Sequence, residues 1–118
     1  MTEHPNKPEK LFVIWSSRDR EIATKMVFMY TLNSKLREWW NDVSLIVWGP
    51  SAQLVSQDKE LQAKIKEMKD AGVELLACKA CSDSYGVSDA LEELGIDVKY
   101  MGEPLTQILK GNDKIITF

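Results

Sequence analysis

A chain of 118 residues, 44% hydrophobic and 28% charged, has room for one domain with a buried core and none for a second. Its net charge of −3 excludes the strongly basic face that nucleic acid or an acidic membrane surface would attract, so neither is an expected partner. The polar opening MTEHPNKPEK lacks a signal-peptide core and no run approaches the roughly 20 apolar residues that span a bilayer, which predicts a cytoplasmic protein.

Residues 1–10 carry Pro5 and Pro8 and are expected to form a mobile tail ahead of a single domain at 11–118. His4, the one histidine, lies in that tail, a position that suits solvated decoration better than a catalytic base. LFVIW, from Leu11 to Trp15, is a continuous apolar run of the kind found in a strand covered on both faces. From Asp19 to about Trp40 the spacing predicts one long helix, with Ile22, Met26, Met29 or Tyr30, Asn33, Leu36 or Arg37 and Trp40 on its inner stripe. Apolar residues from Met26 to Leu32 wrap most of the way round, so this helix is expected to meet another subunit as well as its own sheet.

SLIVW, from Ser44 to Trp48, predicts a second strand, closed by Gly49 and Pro50. A helical turn is expected at Gln53 to Ser56, then a helix from Asp58 to Lys69 with Leu61, Ile65 and Met68 facing inward and a solvated, charged outer face. VELLA, from Val73 to Ala77, is the third strand and delivers Cys78 at its end. Ser82, Asp83 and Ser84 are residues that start helices, and Ser88 suits the N-cap of a helix ending at Gly95. DVKYM, from Asp97 to Met101, and KIITF, from Lys114 to Phe118, complete five strands, with a short helix from Leu105 to Lys110 between them. Crossovers of that length require parallel strands, with helices on both faces.

The two cysteines, Cys78 and Cys81, form a CxxC between a strand end and a helix start. A helix N-terminus and a cation such as Lys79 favour the thiolate, the reactive form, while Asp83 opposes it. In open parallel sheets ligands gather outside the carboxyl ends of the strands. That edge carries Ser16, Ser17 and Arg18 after the first strand, Gly49, Pro50 and Ser51 after the second, Cys78 to Asp83 and Tyr85 after the third, and Gly102 after the fourth. Arg18 is expected near Cys78, where its guanidinium would hold an anionic sulfur species.

Residue supply excludes a Cys/His dyad, a phosphate-binding Walker loop and a GxGxxG cradle, and nothing calls for a cofactor. Two cysteines cannot complete a four-ligand zinc site in one chain, although two chains can pool their pairs. The remaining readings are a thiol that handles sulfur, a dithiol redox switch, a non-catalytic oligomeric binding module, and two inert structural cysteines.

VWGPSAQL, the CxxC followed by CSDSYGV, LEELGIDVKYMGEPLT and the closing KIITF together resemble the DsrE/DsrF/DsrH-like family of small sulfur-relay proteins, over nearly all of 11–118. The resemblance implies a three-layer α/β/α sandwich with a five-stranded, mainly parallel sheet and flavodoxin-like layering, a homo-trimer or hexamer, and a cytoplasmic setting. It also implies that Cys78, eight residues before Gly86, accepts sulfur as a persulfide. Cys81, with Asp83 and Gly86 in a C-x-D-x-x-G pattern, takes the place of a second family cysteine, here as a resolving or assisting thiol. Tyr85 stands where many relatives carry arginine. The implied function is a sulfur carrier, or sulfurtransferase-like protein, working between donor and acceptor proteins.

Overall fold

The apolar runs become strands in the computed structural model, which describes residues 9–118. Among these residues β1 (Lys10–Trp15), β2 (Asp42–Val47), β3 (Glu74–Cys78), β4 (Asp97–Lys99) and β5 (Lys114–Thr117) form one sheet in the order β4-β3-β2-β1-β5. Every neighbouring pair is parallel, as long helical crossovers require. His4 and most of the expected tail lie outside the described residues. Lys10, read as tail, instead opens β1.

Side-chain alternation sorts the core into two layers. Leu11, Val13 and Trp15 of β1, Val43, Leu45 and Val47 of β2, and Leu75 and Ala77 of β3 pack in a large cluster. That cluster also takes Phe28 from α2 (Phe28–Leu36), Leu61, Ile65 and Met68 from α4 (Lys59–Asp70), and Leu91 from α6 (Ser88–Glu93). The intervening residues Phe12, Ile46, Leu76 and Cys78 form a smaller cluster on the other face with Met101 and the partly buried Ile108 of α7 (Gly102–Lys110). No residue of α7 is fully buried, so this second layer is thin.

The strand order explains the two layers. β1 to β4 step across the sheet in sequence through helices on the thick face, and the chain then returns through α7 on the thin face to add β5 at the far edge. After β3 the chain leads through α5 (Lys79–Ser84) to α6 on one face, and after the adjacent β4 it leads to α7 on the other. A crevice opens where neighbouring strands send their connections to opposite faces. Here that switch point lies between the carboxyl ends of β3 and β4, where Cys78 pairs in register with Lys99.

The helix after β1 differs from its expected form. Asp19 caps α1 (Arg20–Ile22), accepting the Glu21 and Ile22 amides at 2.8 and 3.2 Å. A π-helical stretch at Ala23–Val27 then carries the chain into α2. One extra residue per turn rotates the stripe: the fully buried set is Ala23, Val27, Phe28, Thr31 and Ser34, while Ile22, Tyr30 and Trp40 of the expected stripe pack partly buried against the core and Met26, Met29 and Leu36 point outward. Small Ala, Thr and Ser side chains let the helix sit close to the sheet, and Met26 and Met29 are left 49% and 57% exposed. The helix ends at Leu36 rather than Trp40 because Glu38 takes a left-handed φ of 56°.

Farther along, α3 (Ser51–Gln57) is longer than the turn expected there, and α4 buries Leu61, Ile65 and Met68 as its spacing predicts. Among the described residues no helix is long and apolar enough to cross a membrane.

Asp58 joins two helix starts. One carboxylate oxygen accepts the Glu60 and Leu61 amides, each at 3.1 Å, and the other takes Arg20 Nε at 2.7 Å. The Arg20 guanidinium, followed by the Leu61 amide, holds the carboxyl of Asp58 below its ordinary value. A depressed native value means that this stabilisation is complete above the unfolded carboxylate value and is lost as pH falls through the native one. Asp58→Ala is expected to cost about 1 kcal/mol by urea denaturation at pH 7, the usual worth of an N-cap, and the difference from wild type should shrink as both are acidified.

Candidate functional site at the Cys78 and Cys81 thiols

β3 runs into α5 without a linker: Cys78 is the last strand residue and, at φ −73° and ψ 113°, also the residue before the first helical turn. Ser82, Asp83 and Ser84 therefore occupy the second half of α5 rather than its start. Ser88 likewise is the first residue of α6, with Val87 before it as the N-cap. The Ser88 hydroxyl turns to Asp83 at 2.5 Å and to the Ser82 hydroxyl at 2.6 Å, bracing the two short helices.

Alternation along β3 sends the Cys78 side chain to the thin layer, where it is 5% exposed beside Phe12, Ile46, Leu76 and Met101. Cys81, nearly one helical turn on, is half-buried against the same cluster, as is Trp48. Both cysteines are free thiols, and they pack in the same small cluster. Burial pushes the Cys81 thiol up from its ordinary value, the neighbouring Cys78 adds to that, and the Gly49 backbone N–H opposes it.

The thiolate-favouring cation expected at Lys79 is spent elsewhere. Its ammonium lies 2.9 and 3.1 Å from the Asp83 carboxylate oxygens and 5.9 Å from the centre of the Tyr100 ring. This pairing with Asp83 raises the lysine, and the Ser88 hydroxyl and Lys79 together lower Asp83. Local desolvation, not a nearby positive charge, therefore governs Cys81. Asp83 also lines an open polar cleft of about 310 Å³ with Gly86, Ser88 and Asp89.

The other expected edge residues fall into two groups. Gly49 joins the thiols. Ser16, Ser17, Arg18 and Ser51 serve a neighbouring seam: Ser16 N and Oγ donate to the Phe118 carbonyl at 2.8 and 3.0 Å, and Ser17 Oγ accepts the Asp19 amide at 3.0 Å. Arg18 donates to Gln53 of α3 at 2.8 Å, and buried Ser51 donates to the Trp15 carbonyl at 2.5 Å. Arg18 thus has a partner on α3, not a sulfur. Pro50 precedes α3, Tyr85 ends α5 and packs on the large core, and Gly102 is the first residue of α7.

Three residues at the site went unremarked in the sequence reading: Trp48, Met101 and Tyr100. For Trp48 a signal existed, since it lies two residues beyond Ile46 and the period-2 pattern puts both on the thin face. Met101, 1% exposed, and Tyr100, 66% exposed, follow the short β4, where the alternation ends before it can be read.

The model of the DsrE/DsrF-like family matches residues 9–118. Among curated proteins none matches. BT1422 of Bacteroides thetaiotaomicron, a conserved protein of unknown function, is 40% identical over 93% of this chain and 95% of its own, with a TM-score of 0.91. The ychN protein of E. coli is 17% identical, and MTH1491 of Methanobacterium thermoautotrophicum, of unknown function, is 19% identical. Each of these two has a TM-score of 0.67 over 95% of this chain and all of its own, a likeness of fold. The match across every described residue, on a five-stranded parallel sheet with helices on both faces, means that this chain belongs to the DsrE/DsrF-like family.

Proposed function

We propose that this protein is a sulfur carrier that holds one sulfane sulfur as a persulfide on the Cys78/Cys81 pair and passes it between donor and acceptor proteins. The observation that carries this reading is the pair itself: two free thiols packed in one cluster at the switch point of the sheet, in a chain of the DsrE/DsrF-like family. In the loading step a carrier thiolate attacks the outer sulfur of a donor persulfide. The donor S–S bond breaks, the donor leaves as a thiolate, and no net oxidation occurs. The family resemblance assigns the persulfide to Cys78 and an assisting role to Cys81. A reducing cytoplasm, expected from the sequence, suits thiols that must return to the free state after each transfer.

A homo-oligomer, trimer or hexamer, accompanies this reading. Its support is the outward face of the helix after β1. Met26, Met29, Tyr30, Ile116 and Phe118 line an apolar groove of about 270 Å³ with Lys25, and Leu36 and Trp39 also stand exposed. Apolar side chains gathered in that way favour a covered face.

Incubation with a persulfide donor is expected to add one sulfur mass to the wild-type protein and none to the Cys78→Ser/Cys81→Ser double variant. An unmodified wild type, beside a control carrier that is labelled, rejects the carrier reading. Separately, light scattering after gel filtration should give a trimer or hexamer for wild type. Met26→Glu/Met29→Glu should give a monomer with unchanged circular dichroism, and an assembly that survives this pair of charges places the subunit contact on another face.

A further inference from the structure

We infer that Cys81, not Cys78, is the thiol through which sulfur enters and leaves this site, with Cys78 as the sheltered partner behind it. The inference rests on the carrier reading above and reverses the order that the sequence resemblance implies. Thiol exchange requires the attacking sulfur to come within bonding distance of a sulfur held on another molecule. Cys78, at 5% exposure beneath Phe12, Ile46, Leu76 and Met101, offers no such approach. Cys81 is half-buried in α5 and keeps an open side.

Gly49 supplies two further features. Its backbone N–H lowers the Cys81 thiol value against the effect of burial, which favours the thiolate. A side chain built at Gly49 would meet nothing within 4 Å, so the space beside that amide is clear. The residue holds a left-handed φ of +74°, which suits glycine, and the position stays free of a side chain.

The transfer then takes two balanced steps. Cys81, having released its proton to solvent, attacks the outer sulfur of the donor persulfide. The donor departs as a thiolate and a Cys81 persulfide is left. Cys78, packed in the same cluster, next attacks that same outer sulfur, giving its own proton to the Cys81 thiolate as the Cys81 S–S bond breaks. The sulfur now rests on Cys78, shielded by the thin layer from stray thiols. Delivery runs the same steps backwards, and no oxidant or reductant enters.

The test uses cysteine persulfide as donor and mass spectrometry of the intact protein and its peptides, on wild type, Cys81→Ser and Cys78→Ser. Cys81→Ser is expected to load at least about tenfold more slowly than wild type although its Cys78 is present. Cys78→Ser should still load, with the added sulfur on Cys81, and lose that sulfur to glutathione at least about tenfold faster. Loading of Cys81→Ser on Cys78 at the wild-type rate overturns the entry role and leaves the carrier reading standing. Absence of loading on wild type, with a control carrier labelled, overturns both. Iodoacetamide treatment of native wild-type protein tests the same assignment without any variant: Cys81 should be alkylated before Cys78, and the reverse order overturns it.

Discussion

Side chains on a strand point alternately to its two faces, so β3 delivers Leu75 and Ala77 to the thick core and Leu76 and Cys78 to the thin layer. Everything at the site follows from that register. The pairings Leu76 with Asp97 and Cys78 with Lys99 on one side, and Leu76 with Ile46 on the other, hold it in place. A slip of one residue would move the sulfur under α4 and α6 and expose the apolar residues that now lie there. Because both flanking layers are apolar but unequal in depth, the register decides which of them covers the thiol.

The exposed charges nearest the thiols pair among themselves. Lys79 and Asp83 form an ion pair on the outer side of α5, braced by Ser88, and such surface pairs contribute little to stability. Their effect on the site is one of subtraction, since a lysine already matched by a carboxylate lends little net charge to a neighbouring sulfur. Burial, a single backbone amide and the neighbouring Cys78 are left to set the behaviour of Cys81. A thiol of that kind is mostly protonated at neutral pH, while the fraction that does ionise is a stronger nucleophile than a low-pKa thiolate. Unlike a thiol activated by a nearby cation, this one is tuned by how far it is withdrawn from water.

The helix after β1 shows how local pattern and tertiary packing divide the work. Its apolar excess over a single inner stripe was legible. The face itself was not. An ideal repeat of 3.6 residues put Met26, Met29 or Tyr30, and Leu36 or Arg37 inward, while the π-helical turn and the small side chains of Ala23, Thr31 and Ser34 bring a rotated stripe against the strands, with Ile22, Tyr30 and Trp40 at its margin. Unbranched methionine tolerates either environment, so hydrophobicity alone did not discriminate. In α4, with one narrow apolar stripe and no distortion, the same reasoning identified Leu61, Ile65 and Met68 correctly.

The amino-acid sequence by itself determined the five strands, their parallel sense, the family and the position of the CxxC between a strand and a helix. Each of these is written in short-range signals: continuous apolar runs, crossover lengths, and Gly or Pro at the breaks. Tertiary structure decided the reversal of direction after β4, the partners that occupy Arg18 and Lys79, and which of two cysteines three residues apart is open to solvent. The physical reason is that burial belongs to a place in the fold. Cys78 is covered by Phe12, Ile46 and Met101, and the Gly49 amide acts on Cys81; those groups come from three other stretches of the chain, brought together by the pairing of β1, β2 and β3 and the return of α7 over the sheet.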